Sequence, residues 1–151
     1  MKRRGTWTEG DWPEGRSRPR VLVEDTDGGV LAACASVLSK EGFDVATCSG
    51  PQTMGRRECP LVANGTCALV AGADVVYTSL NWKDPKSIAV LDGLSEHYPS
   101  TPVVVETVIG QAPTVRAHAE HARIVLTPSG RRTMVAALRA EIAEDQAART
   151  R

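Results

Sequence analysis

Three of the four cysteines in this chain of 151 residues surround one irregular stretch of sequence. Cys48 ends a predicted strand, and Cys59 and Cys67 follow within a segment rich in Gly and Pro. If that segment folds back on itself, three thiolates could hold zinc or another soft metal together with a fourth ligand. The tight C-x-x-C spacing of structural zinc sites is absent, so a disulfide such as Cys59–Cys67 and unlinked thiols remain alternatives.

Two histidines offer a second possible metal site. His118 and His121 lie three residues apart on a predicted helix, a spacing that lets both rings face one ion. A pair without a nearby third ligand is more often solvated. The sequence shows no Ser/His/Asp arrangement, and Gly28-Gly29 lacks the third glycine of a dinucleotide fingerprint. These patterns predict a protein that is not an enzyme.

The composition indicates one domain with a balanced surface charge. Apolar residues make up 42% of the chain, and 18 basic residues balance 18 acidic ones. This balance argues against nucleic acid as a partner. No run approaches the roughly 18 apolar residues of a membrane span, and no apolar stretch follows the basic start Met1–Arg4. We therefore expect no membrane partner and a cytoplasmic protein with reduced cysteines.

Both ends of the chain are polar. Residues 1–19 are rich in Gly, Pro, Arg and Glu and predict a disordered tail. Trp7 and Trp12 in that tail could pack loosely against the domain or form a short partner-binding segment. Removal of the tail is expected to leave the fold intact. Residues 146–151 are expected to fray, which places the domain at residues 20–145.

Strands and helices alternate along the predicted domain. Short apolar runs predict strands at 20–24, 43–48, 74–79, 102–107 and 123–127. Helical patterns occupy 28–40, a segment that begins at Asp84-Pro85, 113–122 and 131–144. Such alternation implies right-handed crossovers and a parallel sheet covered on both faces. The predicted fold is α/β, a flavodoxin-like doubly wound sheet of five strands in the order 2-1-3-4-5.

An irregular insertion occupies the place of the second helix. The segment 49–66 is interrupted by Gly50, Pro51, Gly55, Pro60 and Gly65. Only residues 67–71 have a composition that could form a helix there. The second helix is therefore expected to be short or replaced by a structured loop.

This order of elements resembles the receiver (CheY-like) domain of two-component response regulators, over about residues 20–145. The resemblance is carried by the spacing of Val21-Leu22-Val23, Gly42-Phe43, Asp74-Val75-Val76, Thr101-Pro102-Val103-Val104-Val105 and Val125-Leu126-Thr127-Pro128. It implies a receiver fold and a role in signal transduction.

The resemblance also implies where the phosphorylation chemistry should lie. Receivers carry the phosphate-accepting aspartate at the end of the third strand, and here that position holds Ser79, which cannot form an acyl phosphate. The hydroxyl at the end of the fourth strand is kept as Thr107. The lysine of the fifth strand is replaced by Thr127, and a cis bond to Pro128 is expected.

The acidic pair that binds Mg²⁺ in receivers follows the first strand. Counting along the strand gives Glu24 and Asp25, whereas counting back from Gly42 gives Asp25 and Thr26. Two carboxylates without the acceptor would form a weak cation site. The alternative is a solvated loop and a helix N-terminus stabilised by Asp27.

These departures predict a degenerate receiver, or pseudo-receiver, that stands alone and acts by protein–protein contact without phosphorylation. The implied contact surface, for an unknown protein partner or a homodimer, is formed by the fourth helix, fifth strand and fifth helix of the receiver fold. It would present Arg116, His118, Glu120, Arg131, Arg132, Arg139 and Glu141. The alternative function is a thiol-based redox or metal sensor that uses Cys48, Cys59 and Cys67 beside Asp25 and Ser79.

Overall fold

The computed structural model describes residue 12, residues 18–51 and residues 58–151. The strands are β1 (Arg20–Asp25), β2 (Asp44–Cys48), β3 (Val75–Ser79), β4 (Val103–Thr107) and β5 (Arg123–Leu126). The helices are α1 (Gly28–Lys40), α2 (Pro60–Asn64), α3 (Ala68–Gly72), α4 (Pro85–His97), α5 (Ala112–His118) and α6 (Arg131–Arg149). A single 3₁₀ turn, Ile109–Gln111, precedes α5.

The five strands form one parallel sheet in the order β2-β1-β3-β4-β5, which confirms the predicted topology. Asp25 lies opposite Ser79, and Glu24 lies between Cys48 on β2 and Thr78 on β3. The carboxyl ends of all five strands meet at one border of the sheet, which we call the C-terminal edge.

Helices cover both faces of the sheet, so each strand is buried on two sides. One face, the α1/α6 face, packs Val21, Val23, Leu38, Val104 and Leu138. The other, the α2–α5 face, packs Leu22, Leu61, Val76, Leu91 and Val105. Successive residues of a strand alternate between these faces. This two-sided burial explains why the strands read as nearly continuous runs of Val and Leu.

Between β2 and β3, the described residues form two short helices, α2 at the end of the insertion and α3 directly after it. The predicted helix at 67–71 is found as α3, whereas α2 was not predicted. Pro60 occupies the first turn of α2, and Gly65 ends it in the left-handed conformation with φ of 73°. Leu61 of α2 packs tightly on Gly93 of α4, where an added Cβ would lie 2.9 Å from the Leu61 Cγ. Residues 52–57 lie outside the described part of the insertion.

Part of the predicted tail is attached to the domain. The indole Nε1 of Trp12 donates a hydrogen bond to the Leu69 carbonyl (3.0 Å), and the Arg20 guanidinium lies 5.4 Å from the indole ring centre. The Arg18 guanidinium donates to the Phe43 carbonyl (2.7 Å). The prediction of a disordered tail otherwise falls on residues 1–11, with Trp7, and 13–17, which lie outside the described residues.

The last helix is longer than predicted. It continues to Arg149, beyond the predicted end at residue 144, and the fraying expected for residues 146–151 stays a prediction. An ion pair from Arg149 Nε to Asp145 Oδ2 (2.9 Å) joins successive turns of the helix, and the Thr150 N–H donates to the Gln146 carbonyl (3.2 Å). None of the described helices is both long and apolar enough to cross a bilayer.

Candidate functional site at the C-terminal edge

The structure brings Ser79 and Asp25 together at the C-terminal edge. They are the last residues of neighbouring strands and lie directly opposite each other. Burial raises the pKa of the Asp25 carboxyl, and the negative charges of Asp27 and Glu106 add to the rise. Asp25 Oδ1 accepts a hydrogen bond from the Asp27 N–H (2.8 Å), which orders the loop before α1. The predicted acceptor position therefore has a hydroxyl beside one carboxylate.

Thr127 stands at the end of β5, where the resemblance places a lysine. Its peptide bond to Pro128 is cis, which confirms the expectation from the sequence. The Thr127 hydroxyl donates to Glu106 Oε1 (3.2 Å), and its N–H donates to the Thr107 carbonyl (2.9 Å). The side chain at this position thus binds a carboxylate of the protein itself.

Glu106 is a site residue that the sequence reasoning missed. It lies on β4, on the α1/α6 face, and its carboxylate accepts hydrogen bonds from Tyr77, Thr127 and Ser129, the last at 2.9 Å. Burial, followed by the hydrogen bond to Glu106, raises the pKa of the Tyr77 phenol. We call these four residues the Glu106 cluster. The signal in the sequence that could have identified Glu106 is that it is the one charged residue in the apolar strand Val103–Thr107.

Thr107 follows Glu106 and points to the opposite face of the sheet. It is only 3% exposed, and its hydroxyl donates to the Val108 carbonyl (3.0 Å). The three hydroxyl residues predicted to share one pocket are therefore divided by strand alternation. Ser79 and Thr127 belong to the α1/α6 face, and Thr107 belongs to the α2–α5 face.

Glu24 is also directed away from Asp25. Its side chain lies on the α2–α5 face and is only 6% exposed. Burial raises the pKa of the Glu24 carboxyl to about 7, and the nearby Thr78 hydroxyl partly offsets the rise. Within the described residues, neither Glu24 Oε1 nor Thr78 Oγ1 makes a hydrogen bond of normal geometry. The predicted acidic pair is thus split, and Asp25 alone accompanies Ser79.

Cys48, Cys59 and Cys67 gather around the buried Glu24. Burial is the main cause that raises the pKa of each thiol, and the Glu24 charge raises all three further. The three therefore lie close together, but on the α2–α5 face rather than the face of Asp25 and Ser79. All four cysteines, including Cys34, are free thiols.

The described side chains argue against both predicted metal sites. No three His, Cys, Asp or Glu side chains of the described residues are grouped as metal ligands would be. His118 Nδ1 instead lies 2.6 Å from Asp92 Oδ1 on α4, and His121 is exposed.

The charged side chains of the predicted contact surface are largely engaged within the domain. Arg131 and Arg139 on α6 both pair with Glu41 at the end of α1, and Glu141 pairs with Arg123 (2.8 Å). The Arg116 guanidinium donates to the Ala122 carbonyl (2.7 Å). These contacts leave less free charge on the surface than the sequence suggests.

Apolar side chains are exposed at the C-terminal edge instead. Val108, Ile109 and Leu126 are 47%, 75% and 46% exposed. Val108 and Ile109 follow β4 directly, and Leu126 lies opposite Thr107 at the end of β5. We call these three residues the edge patch.

No family model matches the sequence, and no match is found among curated proteins. Solved structures do match. A receiver domain protein from Clostridium thermocellum has 20% identity and a TM-score of 0.65, covering 85% of this chain and 97% of its own. A CheY-like receiver protein from Methanospirillum hungatei has 14% identity and a TM-score of 0.66, with 86% and 98% covered.

A third match is the N-terminal receiver domain of a two-component response regulator from Bacteroides fragilis. It has 23% identity and a TM-score of 0.61, covering 83% of this chain and 98% of that domain. At these identities the likeness concerns the fold and not the activity. The chain has the fold of a response-regulator receiver domain.

Proposed function

We propose that the chain is a receiver-like signalling module that acts by binding another protein and does not use aspartyl phosphorylation. The observation that carries this proposal is Ser79 at the end of β3, opposite Asp25. A serine hydroxyl cannot accept a phosphoryl group to form the acyl phosphate on which receivers depend. A module with this fold must then transmit its signal by another route.

Two further features of the edge support the loss of phosphotransfer. Thr127 offers no positive charge to a phosphoryl group, and its hydroxyl already binds Glu106. The acidic residues Glu24 and Asp25 point to opposite faces, so they do not form a paired oxygen site for Mg²⁺. The acceptor position, the acidic pair and the position of the lysine therefore all differ from those of a receiver that is phosphorylated.

Binding to a protein is the function that the surface favours. The edge patch presents large apolar side chains beside β5 and the start of α5, and exposed apolar clusters commonly mark interaction sites. We accordingly propose a protein partner or a second copy of this chain, and no catalytic role. The cytoplasmic location expected from the sequence stays a prediction.

The alternative function, a thiol-based sensor, has weaker support. The thiolate is the reactive form of cysteine, and burial raises the pKa of the Cys48, Cys59 and Cys67 thiols. These thiols are thus protonated near neutral pH, and Cys48 and Cys67 are also buried, whereas Cys59 is partly exposed. Their environment suits packing around Glu24 better than redox chemistry.

The proposal predicts that small phosphodonors do not modify the protein. Incubation with acetyl phosphate and Mg²⁺, followed by intact mass measurement, should show no added phosphoryl group because Ser79 replaces the acceptor. A receiver with an intact site serves as the positive control. The double variant Ser79→Asp/Thr127→Lys shows whether the fold supports the reaction once both groups are restored. A stoichiometric, base-labile phosphoryl group on the unmodified chain would contradict the proposal.

A further inference from the structure

Glu106 on β4 is hydrogen-bonded to both neighbouring strands or the segments that follow them. Its carboxylate accepts hydrogen bonds from Tyr77 on β3 and from Thr127 and Ser129, which follow β5. Its carbonyl accepts from the Trp82 indole (2.9 Å), which belongs to the segment after β3. One residue of β4 therefore joins the chain segments at the ends of β3, β4 and β5.

The surroundings of this carboxylate lack a positive charge. Among the described residues no Lys, Arg or His forms an ion pair with Glu106. Its charged neighbour Asp25 is negative, and the nearby Cys34 thiol has a pKa raised by burial and by both acids. The three hydroxyls are thus the groups that stabilise the charge, and hydrogen bonds to an ionised acceptor are the stronger kind.

We propose that the Glu106 carboxylate, through the three hydrogen bonds that it accepts, holds the C-terminal edge in one arrangement. Two loops meet at this residue: Val108–Gln111, which is joined to Glu106 through Thr107, and Thr127–Gly130, which donates two of the three hydrogen bonds. Val108 and Ile109 of the edge patch lie in the first of these loops. The edge is then ordered without an added phosphoryl group. This inference goes beyond the proposed function and does not rest on it, because it concerns local order and not phosphotransfer.

The test is amide hydrogen exchange of the wild-type chain and of the variants Glu106→Gln and Tyr77→Phe. Both variants should accelerate exchange about tenfold in residues 107–111 and 127–130, because each loses a charge-assisted hydrogen bond. Exchange in β1 and β2 should stay unchanged. Glu120→Gln, which alters an exposed carboxylate in the loop after α5, is the matched control.

The isosteric Gln variant separates a role for charge from a role in packing. Glutamine keeps the size of Glu106 and one acceptor oxygen but removes the charge. If the Gln variant protects both loops as the wild type does, the carboxylate does not hold the edge and the proposal is wrong. In the Glu106→Gln background, Tyr77→Phe should accelerate exchange by less than it does in the wild type, since both substitutions act on the same hydrogen bond. Fully additive effects would also overturn the proposal.

Discussion

Glu24 and Asp25 are neighbours in sequence but occupy different electrostatic environments. Asp25 lies at the edge beside Ser79, and its carboxylate accepts a hydrogen bond from the Asp27 N–H. Glu24 lies among three thiols and Thr78, and none of the described residues places a cation against it. Since a buried carboxyl without a partner is more stable when neutral, Glu24 should keep its proton well above the pH at which an exposed glutamate loses it.

This environment predicts that stability falls as pH rises. The pKa of Glu24 is about 7 in the folded chain against an ordinary value of 4.5, so the folded chain binds more protons between these values. The contribution of Glu24 to the free energy of unfolding should therefore be fully present below about pH 4.5 and fall by about 3 kcal/mol as pH rises to about 7 and slightly beyond. Asp25, whose pKa is also raised, acts in the same direction.

Urea unfolding at a series of pH values measures this dependence. Glu24→Gln mimics the protonated carboxyl and should remove most of the slope between about pH 5 and pH 8. Glu120→Gln, at an exposed position, should keep it. A wild-type stability that is constant over this range would show that the Glu24 carboxyl reaches water or a cation in the folded chain.

Sequence reasoning identified some of the residues at this edge and missed others. Ser79 and Thr127 could be placed because strand ends are marked by apolar runs and by Pro128. The faces of Glu24 and Asp25 could not be assigned, because a shift of one residue in register exchanges the two faces. Glu106 was missed because its partners come from segments far apart in the chain, which only the pairing of β3, β4 and β5 brings together.

At the scale of elements, α3 is held partly by the segment before β1. The Trp12 indole donates to the carbonyl of Leu69, and its ring lies so close to Gly72 that a Cβ there would collide with it. The Arg20 guanidinium stacks on the same ring. A short helix of five residues has little stability of its own, so these contacts should matter to its position.

Removal of the indole should therefore cost stability. Trp12→Ala loses a hydrogen bond, a cation–π contact and buried apolar area, and we expect roughly 2 kcal/mol of destabilisation in denaturant unfolding. Gly72→Ala should have a comparable effect, because its methyl group expels the indole.

The double variant Trp12→Ala/Gly72→Ala checks that mechanism. Without the indole, alanine at residue 72 meets no clash and favours helix more than glycine does. The second substitution should then be neutral or slightly stabilising. If Gly72→Ala destabilises both backgrounds equally, the collision with Trp12 is not the cause.

The pair of short helices was the least predictable part of the chain. α2 has five residues, too few for a helical period, and its support comes from Leu61 packing against Gly93 on α4. That contact joins segments about 30 residues apart in sequence. By contrast, α4 could be predicted from Asp84, which caps it by accepting from the Lys86 N–H (2.9 Å), and from the following Pro85.

At the scale of the whole molecule, the fold could be predicted from the sequence because the strands are buried on both faces of the sheet and appear as apolar runs. Strands such as Val103–Thr107 must be largely apolar on both faces, because helices cover the sheet on both sides. The residues at the strand ends are less constrained by packing, because the sheet accommodates polar residues such as Ser79 and Thr127 at its edge. The fold alone therefore does not determine which residues stand at the edge, and the loss of phosphotransfer rests on the proposal made for Ser79 and Thr127.

The edge patch gives the molecule a testable surface for binding. Val108 and Val62 are almost equally exposed, at 47% and 46%, but Val62 lies on α2, which packs on α4 and is not part of the edge patch. Val108→Asp should weaken binding at least about tenfold, because a charge would lose its water within an apolar contact. Val62→Asp is the matched control and should bind as the wild type does. Neither substitution should lower the thermal midpoint strongly, since both side chains already face solvent.

Two measurements cover the two kinds of partner. Light scattering of the purified chain over a range of concentrations measures self-association, and affinity capture from cells of the source organism, followed by mass spectrometry, compares the proteins retained by each variant. A partner or dimer lost with Val108→Asp and kept with Val62→Asp would locate the contact at the edge patch. Equal binding by both variants would move the interaction elsewhere, first to the exposed side chains of α5 and α6.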